Sequence, residues 1–298
     1  MGSVAWLLRV FGWRRDLVRH HLARCLPELE ESRRRAVEAG FYSHLGQLAA
    51  EVLAQRFLNP ADLANRVRFE NPELVRSCLQ GTPGRALILS SHHANWEWLL
   101  ARCSNEFSEP LTAAYKPTRR ESVDGVLRRM RERFGCTMVK AQNLVPHLLE
   151  QRGKVRLLAM LADQSPSAKS EQQTWLEFFG QPTSFFRGPG WIGSKLGYSV
   201  YLAAMHRERR GHYVVRFIEL SRAGTRTEPD QILVAYTRAL ETEVPACKGL
   251  QEAYLGRGRV HLKLGKSSEA DADLRKCNEL LPSSAAGKEC RSILANLK

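Results

Sequence analysis

Between residues 86 and 220 the sequence alternates short apolar runs with segments of helical spacing, and this alternation limits the folds open to the chain. The first apolar run, residues 86–91, follows the turn-rich stretch 81–84 and predicts a buried strand. Further strands are predicted at residues 111–115, 155–162, 199–204 and 213–220, and helices at 95–103, 122–133, 143–151 and 190–196. The pattern favours an α/β fold with a mostly parallel sheet flanked by helices, which carries its site at the carboxyl ends of strands.

The two ends of the chain have a different pattern from this middle region. Residues 14–57 predict helices broken at Leu26-Pro27. After residue 244 the strand signals stop, and Gly258, Gly265, Ala270, Leu274 and Pro282 have the spacing of a tetratricopeptide-like helix pair. We therefore predict a main domain over 1–244 and a small all-α tail over 245–298. One repeat cannot bury its own apolar face, so the tail is expected to pack on the main domain or on a partner protein.

The net charge narrows the classes of partner. Lys and Arg exceed Asp and Glu by 14, which favours phosphates, anionic lipids or an acidic carrier protein. Charge alone also allows nucleic acid. The sequence has no recognition helix, zinc spacing or aromatic-basic signature of the usual nucleic-acid binders, so we expect no nucleic-acid partner.

The seven cysteines are widely spread and form no C-x-x-C pair. They indicate neither a disulfide framework nor a zinc site, and we expect buried thiols in a reducing compartment with no metal.

Membrane contact is predicted at the N-terminus. No stretch approaches the roughly 20 apolar residues that a spanning helix needs. Residues 4–13 are apolar and aromatic and precede Arg14 and Arg15, a pattern typical of a helix in the membrane interface. The alternative is a first helix packed on the core. We expect the chain on the cytoplasmic side of the membrane, attached peripherally or by this segment.

The chemistry is predicted at the junction after the first strand. His92 ends that strand, and Glu97 lies five positions on, in the first turn of the next helix. Glu97 is expected to fold back, accept the ring N–H of His92 and so orient a general base. The alternative assigns His92 to the core and Glu97 to solvent.

Four ordered sequence blocks carry a resemblance to a known family. Residues 91–97, Ser-His-His-Ala-Asn-Trp-Glu, closely resemble the Ser-His-x-x-Asn-Trp-Glu block of the lysophospholipid and lipid A acyltransferases, which include lauroyl and myristoyl transferases. Residues 115–117, Tyr-Lys-Pro, resemble the family's Tyr-Arg-Pro, and residues 131–135 resemble its Arg-x-Arg-x-Gly. Residues 161–166 resemble its Asp-Gln-x-Pro, and 178–180 and 187–189 follow in order. Lys116 replaces the usual arginine, and the repeat-like tail replaces a Trp- and Arg-rich C-terminal segment.

The resemblance implies the glycerolipid-acyltransferase α/β fold and roles for individual residues. His92 would be the general base, Glu97 its orienting partner, and Asn95 would order the site or the oxyanion. Lys116, Arg131 and Arg133 would bind the acceptor phosphates, with Arg131 and Arg133 on a solvated basic helix as the alternative. The other residues implied for the substrate site are Asp163, Gln164 and Arg187, the first two as scaffolding for the site loops. Phe178, Phe179, Phe185 and Phe186 would line an acyl-chain groove or pack in the core.

The implied activity is transfer of a fatty acyl group from acyl carrier protein to a hydroxyl of a lipid A precursor, with no metal or organic cofactor. The implied location is the cytoplasmic face of the cell inner membrane. Two alternatives remain. The same pair could acylate another glycolipid or aryl-lipid, or the chain could be a non-catalytic membrane-surface protein that recruits a partner through its tail.

Overall fold

The structure is a computed structural model, which describes residues 14–27, 29–118, 120–151, 153–166, 172–179, 181–243, 259, 261–262, 265, 267–280 and 285–296. The chain divides into two compact units, residues 1–233 and 234–298. The predicted interfacial segment 4–13 and the predicted boundary after residue 244 lie outside the described residues, so both stay predictions.

The helices and strands of the described residues have the following bounds. The helices are α1 Arg15–Cys25, α2 Glu31–Ala54, α3 Pro60–Arg66, α4 Glu73–Gln80, α5 Trp96–Glu106, α6 Glu121–Glu132, α7 Leu144–Glu150, α8 Gly188–Leu196, α9 Pro229–Glu243, α10 Ser267–Leu280 and α11 Ala285–Asn296. The strands are β1 Val67–Phe69, β2 Ala86–Ser90, β3 Leu111–Tyr115, β4 Thr137–Lys140, β5 Leu157–Leu161, β6 Gln173–Phe178, β7 Gln181–Phe186, β8 Ser199–Arg209 and β9 His212–Ser221.

A seven-stranded sheet forms the centre of the first unit, in the order β1-β9-β8-β2-β5-β3-β4. Strands β8, β2, β5, β3 and β4 are mutually parallel. Strand β9 pairs antiparallel with β8 and parallel with β1, so β9 and the edge strand β1 run opposite to the other five strands. Strands β6 and β7 form a separate antiparallel hairpin. Strand β2 therefore lies in the middle of the sheet, between β8 and β5.

Burial explains why the central strands are apolar throughout. Every residue of β2 is buried, as are the first seven residues of β8. Strands covered on both faces have no solvent side and therefore do not alternate apolar with polar residues. The packing of α8 is equally close, because a Cβ on Gly190 would come within 2.1 Å of the Pro229 carbonyl oxygen.

The predicted α/β class with a mostly parallel, helix-flanked sheet is confirmed. The predicted strands correspond to β2, β3, β5, β8 and β9, and the predicted helices to α5, α6, α7 and α8. The sequence patterns missed β1, β4, β6 and β7. Three- and four-residue strands such as β1 and β4 are too short to show a periodicity, and the hairpin lies in a polar stretch of the chain.

The second unit contains a helix pair joined by a disulfide between Cys277 on α10 and Cys290 on α11. The expectation that no cysteines pair was wrong here. The two residues lie 13 positions apart on facing helices, with a Cα–Cα distance of 6.3 Å, so the pairing depends on tertiary contact and not on a C-x-x-C motif. Of the cysteines described as free, Cys103 and Cys136 are buried, whereas Cys25 is exposed and Cys78 is half-buried.

Helix α11 contributes to a small apolar core of this unit. Cys290 joins Leu274 and Cys277 in that core, and Ile293 and Leu294 pack against it. Residues 290, 293 and 294 are at helical spacing and therefore share one side of α11.

Candidate active site

Two neighbouring parallel strands bring His92 and Asp163 together. Strands β2 and β5 pair in register, Ser90 opposite Leu161, and the backbone N–H of Ala162 donates to the Ser90 carbonyl. His92 and Asp163 each follow two residues after their strand ends. Because carboxyl ends of parallel strands lie at the same edge of a sheet, the two side chains meet although 71 residues separate them.

Asp163 contacts His92 through both carboxylate oxygens. Its Oδ2 accepts the backbone N–H of His92 at 2.8 Å, and its Oδ1 lies 2.7 Å from the ring Nδ1. A carboxylate accepts hydrogen bonds only, so Nδ1 carries the proton and Nε2 presents a lone pair. The Gln164 amide nitrogen lies 3.3 Å from Nε2. The His92 side chain is 33% exposed, so the ring is held in place and still open to a substrate.

The backbone between strand and helix supports this orientation. Ala94 has a φ of +55°, the left-handed conformation, which costs a non-glycine residue roughly 1–2 kcal/mol. The ring of Trp96, the first residue of α5, packs edge-on against the His92 ring with centroids 5.1 Å apart. The strained turn thus directs the chain from β2 into α5 while His92 stays at the sheet edge.

Glu97 does not take the position that the sequence predicted for it. Its carboxylate accepts two hydrogen bonds from the Arg131 guanidinium on α6, at 2.8 and 2.6 Å. Both side chains are largely buried, with 8% of Glu97 and 17% of Arg131 exposed. The His92 ring has Asp163 as its carboxylate instead. The reason is geometric, because a partner on the adjacent strand faces the ring, whereas the first turn of α5 directs Glu97 towards α6.

The ion pair keeps the Arg131 guanidinium positively charged. Burial lowers the pKa of its guanidinium, but the hydrogen bonds and negative charge of Glu97 raise the pKa by more, so the net shift is upward. Arg131 is therefore charged and already paired with a carboxylate, so it is not available as the predicted phosphate ligand unless Glu97 releases it.

Asn95 is a structural residue of the site. Its side-chain oxygen accepts the N–H of Trp98 and caps α5, and its amide nitrogen donates to Glu51 at 3.0 Å. The side chain is fully buried. Both amide atoms are engaged, so the structure supports an ordering role for Asn95 and not contact with an oxyanion.

The partner of Asn95, Glu51, is a buried residue that the sequence analysis missed. Its carboxylate also accepts the Tyr213 hydroxyl at 2.6 Å and the Gln47 amide at 2.7 Å, and its backbone carbonyl accepts the Trp98 indole N–H. The only available signal was a glutamate within an apolar helical stripe. The network fixes α2 against the start of α5, directly behind His92.

The three other predicted cations have different surroundings. Arg133 donates to the backbone carbonyls of Gln55 and Arg56, which ties the end of α6 to the end of α2. Arg187 pairs with Asp230 at 3.0 and 3.3 Å on the surface. Lys116 is exposed just after β3, at the same sheet edge as His92, and among the described residues its ammonium group has no hydrogen bond or ion pair. Of these three, only Lys116 has the free charge that a phosphate needs.

The residue after His92 is also a histidine, and its surroundings lower its pKa. The pKa of His93 is lowered from 6.5 to about 4, mainly by burial and in addition by the charges of His44 and His206, while Asp163 opposes the shift. His93 is therefore neutral near pH 7. Within the described part of the chain, no group of three or more His, Cys, Asp or Glu side chains is arranged to hold a metal ion.

Comparison with known families decides the class of protein. The sequence model of the bacterial lipid A biosynthesis acyltransferases matches residues 1–246. The chain belongs to this family. A comparison with curated proteins gave no match. The lipid A biosynthesis acyltransferases are enzymes that transfer acyl groups, so the chain is an acyltransferase, as the four sequence blocks predicted.

The acyltransferase match covers the whole seven-stranded sheet and the β2–α5 junction, and ends before α10 and α11. The tetratricopeptide-like character of the tail is not tested by it. Among the described residues, no helix combines the length and the apolar character needed to cross a bilayer.

The four phenylalanines predicted to line an acyl-chain groove or to pack in the core differ in burial. Phe185 is fully buried, and Phe178 packs against it and against Phe179, with ring centroids 5.4 and 4.4 Å apart. Phe186 is 44% exposed. Phe178, Phe179 and Phe185 therefore form one cluster at the β6–β7 hairpin, in which only Phe185 is buried, and Phe186 is exposed.

Proposed function

We propose that this acyltransferase moves a fatty acyl group from acyl carrier protein to a hydroxyl of a lipid A precursor, with His92 as general base and Asp163 as its orienting residue. The observation that carries the proposal is the 2.7 Å contact between His92 Nδ1 and Asp163 Oδ1 at the open edge of the sheet. With the proton on Nδ1, the lone pair is on Nε2, where the Gln164 amide lies at 3.3 Å; a substrate hydroxyl that takes the place of this amide can give its proton to Nε2, as a base for an alcohol requires.

The proposed reaction needs no enzyme nucleophile. His92 Nε2 takes the proton of the acceptor hydroxyl while the oxygen attacks the thioester carbonyl, and Asp163 stabilises the imidazolium that forms. The tetrahedral intermediate then collapses, the carbon–sulfur bond breaks, and the thiolate receives the proton from His92. One ester forms for each thioester consumed, and the imidazole returns to its starting state.

We assign Glu97 a positioning role that acts through Arg131. The buried ion pair holds α6 against α5, and α6 follows β3 and Lys116 at the same sheet edge. Replacing Glu97 would leave a buried guanidinium without its carboxylate and would shift the wall of the site. Glu97 therefore remains essential in this proposal, although it does not touch the base.

Lys116 is the proposed contact for the acceptor's phosphates. It is exposed beside the site and has a free ammonium group, which a phosphate oxygen binds as a point charge. For the donor, the surplus of 14 positive charges favours an acidic carrier protein, and the same surplus favours the anionic cytoplasmic face of the inner membrane.

The test is a transfer assay with purified protein, labelled acyl carrier protein thioester and lipid A precursor. We expect His92→Ala to lower the rate on the order of a hundred- to ten-thousand-fold with an unchanged melting temperature. His20→Ala, at an exposed position on α1, is the matched control and should keep full activity. Turnover of His92→Ala near the control would overturn the mechanism, and turnover only with another lipid acceptor would overturn the substrate.

A further inference from the structure

Helix α6 is amphipathic, and its apolar side is only partly covered by the protein. Val123, Val126, Leu127 and Met130 follow the i, i+3, i+4, i+7 spacing of a face that normally packs on a core. All twelve residues of α6 are described by the structure, and none of them is buried. Val123 and Val126 are 44% and 49% exposed. The helix therefore presents apolar surface outward instead of using it for folding.

The exposed valines lie in a row with two arginines. Arg120, Val123, Val126 and Arg129 follow one another at intervals of three residues, so neighbours in the row lie on one side of the helix. All four side chains are exposed. No hydrogen bond or ion pair of the two guanidinium groups is found among the described residues. The row thus consists of an apolar pair with a free cation at each end.

A second element extends the apolar surface next to α6. Arg133 caps the end of α6 and donates to the carbonyls of Gln55 and Arg56, which brings the end of α2 to this position. Leu53 and Phe57 flank those residues and are 69% and 78% exposed, the two highest values among the exposed large hydrophobic residues. Two elements that meet at Arg133 therefore both expose aliphatic or aromatic side chains.

The same helix is fixed to the candidate active site. Arg131 lies on α6 one turn beyond Leu127 and makes the buried pair with Glu97, five residues after His92. A surface bound through the outer side of α6 would therefore hold the base at a set distance from that surface.

We propose that the row Arg120–Val123–Val126–Arg129, together with Leu53 and Phe57, is a docking face for an anionic phospholipid bilayer. Aliphatic side chains would enter the boundary between headgroups and acyl chains, and the arginines would reach the lipid phosphates from either side. We choose a bilayer over an acidic protein because the face combines exposed aliphatic and aromatic side chains with two free arginines, and an anionic bilayer offers both acyl chains and phosphates to such a set. The choice of a lipid bilayer as the partner rests on the proposed function, in which the acceptor is a lipid. The exposure and charge of the face do not depend on it.

The experiment measures binding without acyl transfer, so its result does not depend on the proposed function. The full chain is mixed with vesicles of phosphatidylcholine containing phosphatidylglycerol and sedimented. We expect Val123→Ser/Val126→Ser to lower the partition coefficient about tenfold, since two aliphatic side chains lose their burial in lipid. Arg120→Gln/Arg129→Gln should lower it by a similar factor, and less at high salt, where the electrostatic part is already screened.

Matched controls separate this face from general effects. Val37→Ser removes an equally exposed valine (40%) from the other end of α2, and Arg209→Gln/Arg210→Gln removes two exposed arginines from the β8–β9 turn. Both should stay within twofold of the parent protein. Hydrogen exchange by peptide should show protection of residues 120–132 when anionic vesicles are added.

Either of two results would overturn the proposal. One is vesicle binding by the valine variant that equals the Val37→Ser control, and the other is absence of added protection over residues 120–132. If both occur while the same variants lose affinity for acyl carrier protein, the face binds the acidic donor protein and not the bilayer.

Discussion

Asp163 binds His92 twice, at the backbone N–H and at the ring Nδ1, with one oxygen of its carboxylate for each. The carboxylate therefore fixes both the backbone of the loop that follows β2 and the tautomer of the His92 ring. This double contact joins two neighbouring strands at the sheet edge and makes Asp163 the residue on which the geometry of the base depends.

Asp163→Asn tests that dependence. An amide at this position donates as well as accepts, so it stabilises the imidazolium poorly and allows the wrong tautomer. We expect kcat/KM to fall on the order of a hundred- to ten-thousand-fold, with little change in the free energy of unfolding. Asp230→Asn, an exposed carboxylate paired with Arg187, serves as control and should keep activity. Equal rates for the two variants would remove Asp163 from the mechanism.

The Glu97–Arg131 pair predicts a large effect on stability. Glu97→Gln leaves the guanidinium buried without its counter-charge, which costs about 3–5 kcal/mol of unfolding free energy. The double variant Glu97→Gln/Arg131→Met should cost less than the sum of the single changes, because no unpaired charge remains. Urea unfolding of Glu97→Gln, Arg131→Met and the double variant measures the change in unfolding free energy of each. Additive costs in this cycle would show that the two side chains do not stabilise each other.

His93 predicts a loss of stability in mild acid. Its pKa is about 4 in the folded chain and about 6.5 when unfolded, so the unfolded state binds more protons between these values. The unfolding free energy attributable to His93 is complete above pH 6.5 and falls as the pH drops towards 4, by on the order of 2–3 kcal/mol.

The measurement is urea unfolding at a series of pH values, with His93→Gln as the test variant and His20→Gln, an exposed histidine on α1, as control. The test variant should have a flatter pH profile between pH 6.5 and 4. A profile identical to that of the control would mean that His93 does not titrate with a depressed pKa.

The helix pair of the tail predicts a redox-dependent exchange rate. Cys277 and Cys290 close a short loop between α10 and α11, and a disulfide across such a loop contributes about 3 kcal/mol. Reduction, or Cys277→Ser/Cys290→Ser, should speed amide exchange over residues 267–296 and leave β2 unchanged. Even oxidised, the tail should exchange faster than β2. Protection equal to β2 in the reduced protein would show that neither the disulfide nor the small core limits the opening of this unit.

The sequence determined the fold class because burial acts on individual strands. Residues 86–89 are apolar without alternation, a composition typical of a strand covered on both faces. The alternation of such runs with helical segments then predicted the parallel sheet, and the position of His92 after β2 predicted the edge where the site lies. These are local properties, since each depends on the composition and order of a short segment.

Tertiary structure alone decided which residue orients the base. Glu97 is five positions from His92 and Asp163 is 71, and the sequence analysis chose the nearer carboxylate for the contact. The pairing of β2 with β5 reverses that order, because strands adjacent in the sheet bring their carboxyl ends together whatever their distance along the chain. The partners of Glu97, Asn95 and Cys277 were hidden for the same reason: each lies on a different helix, and only packing sets which side chains of two helices face each other.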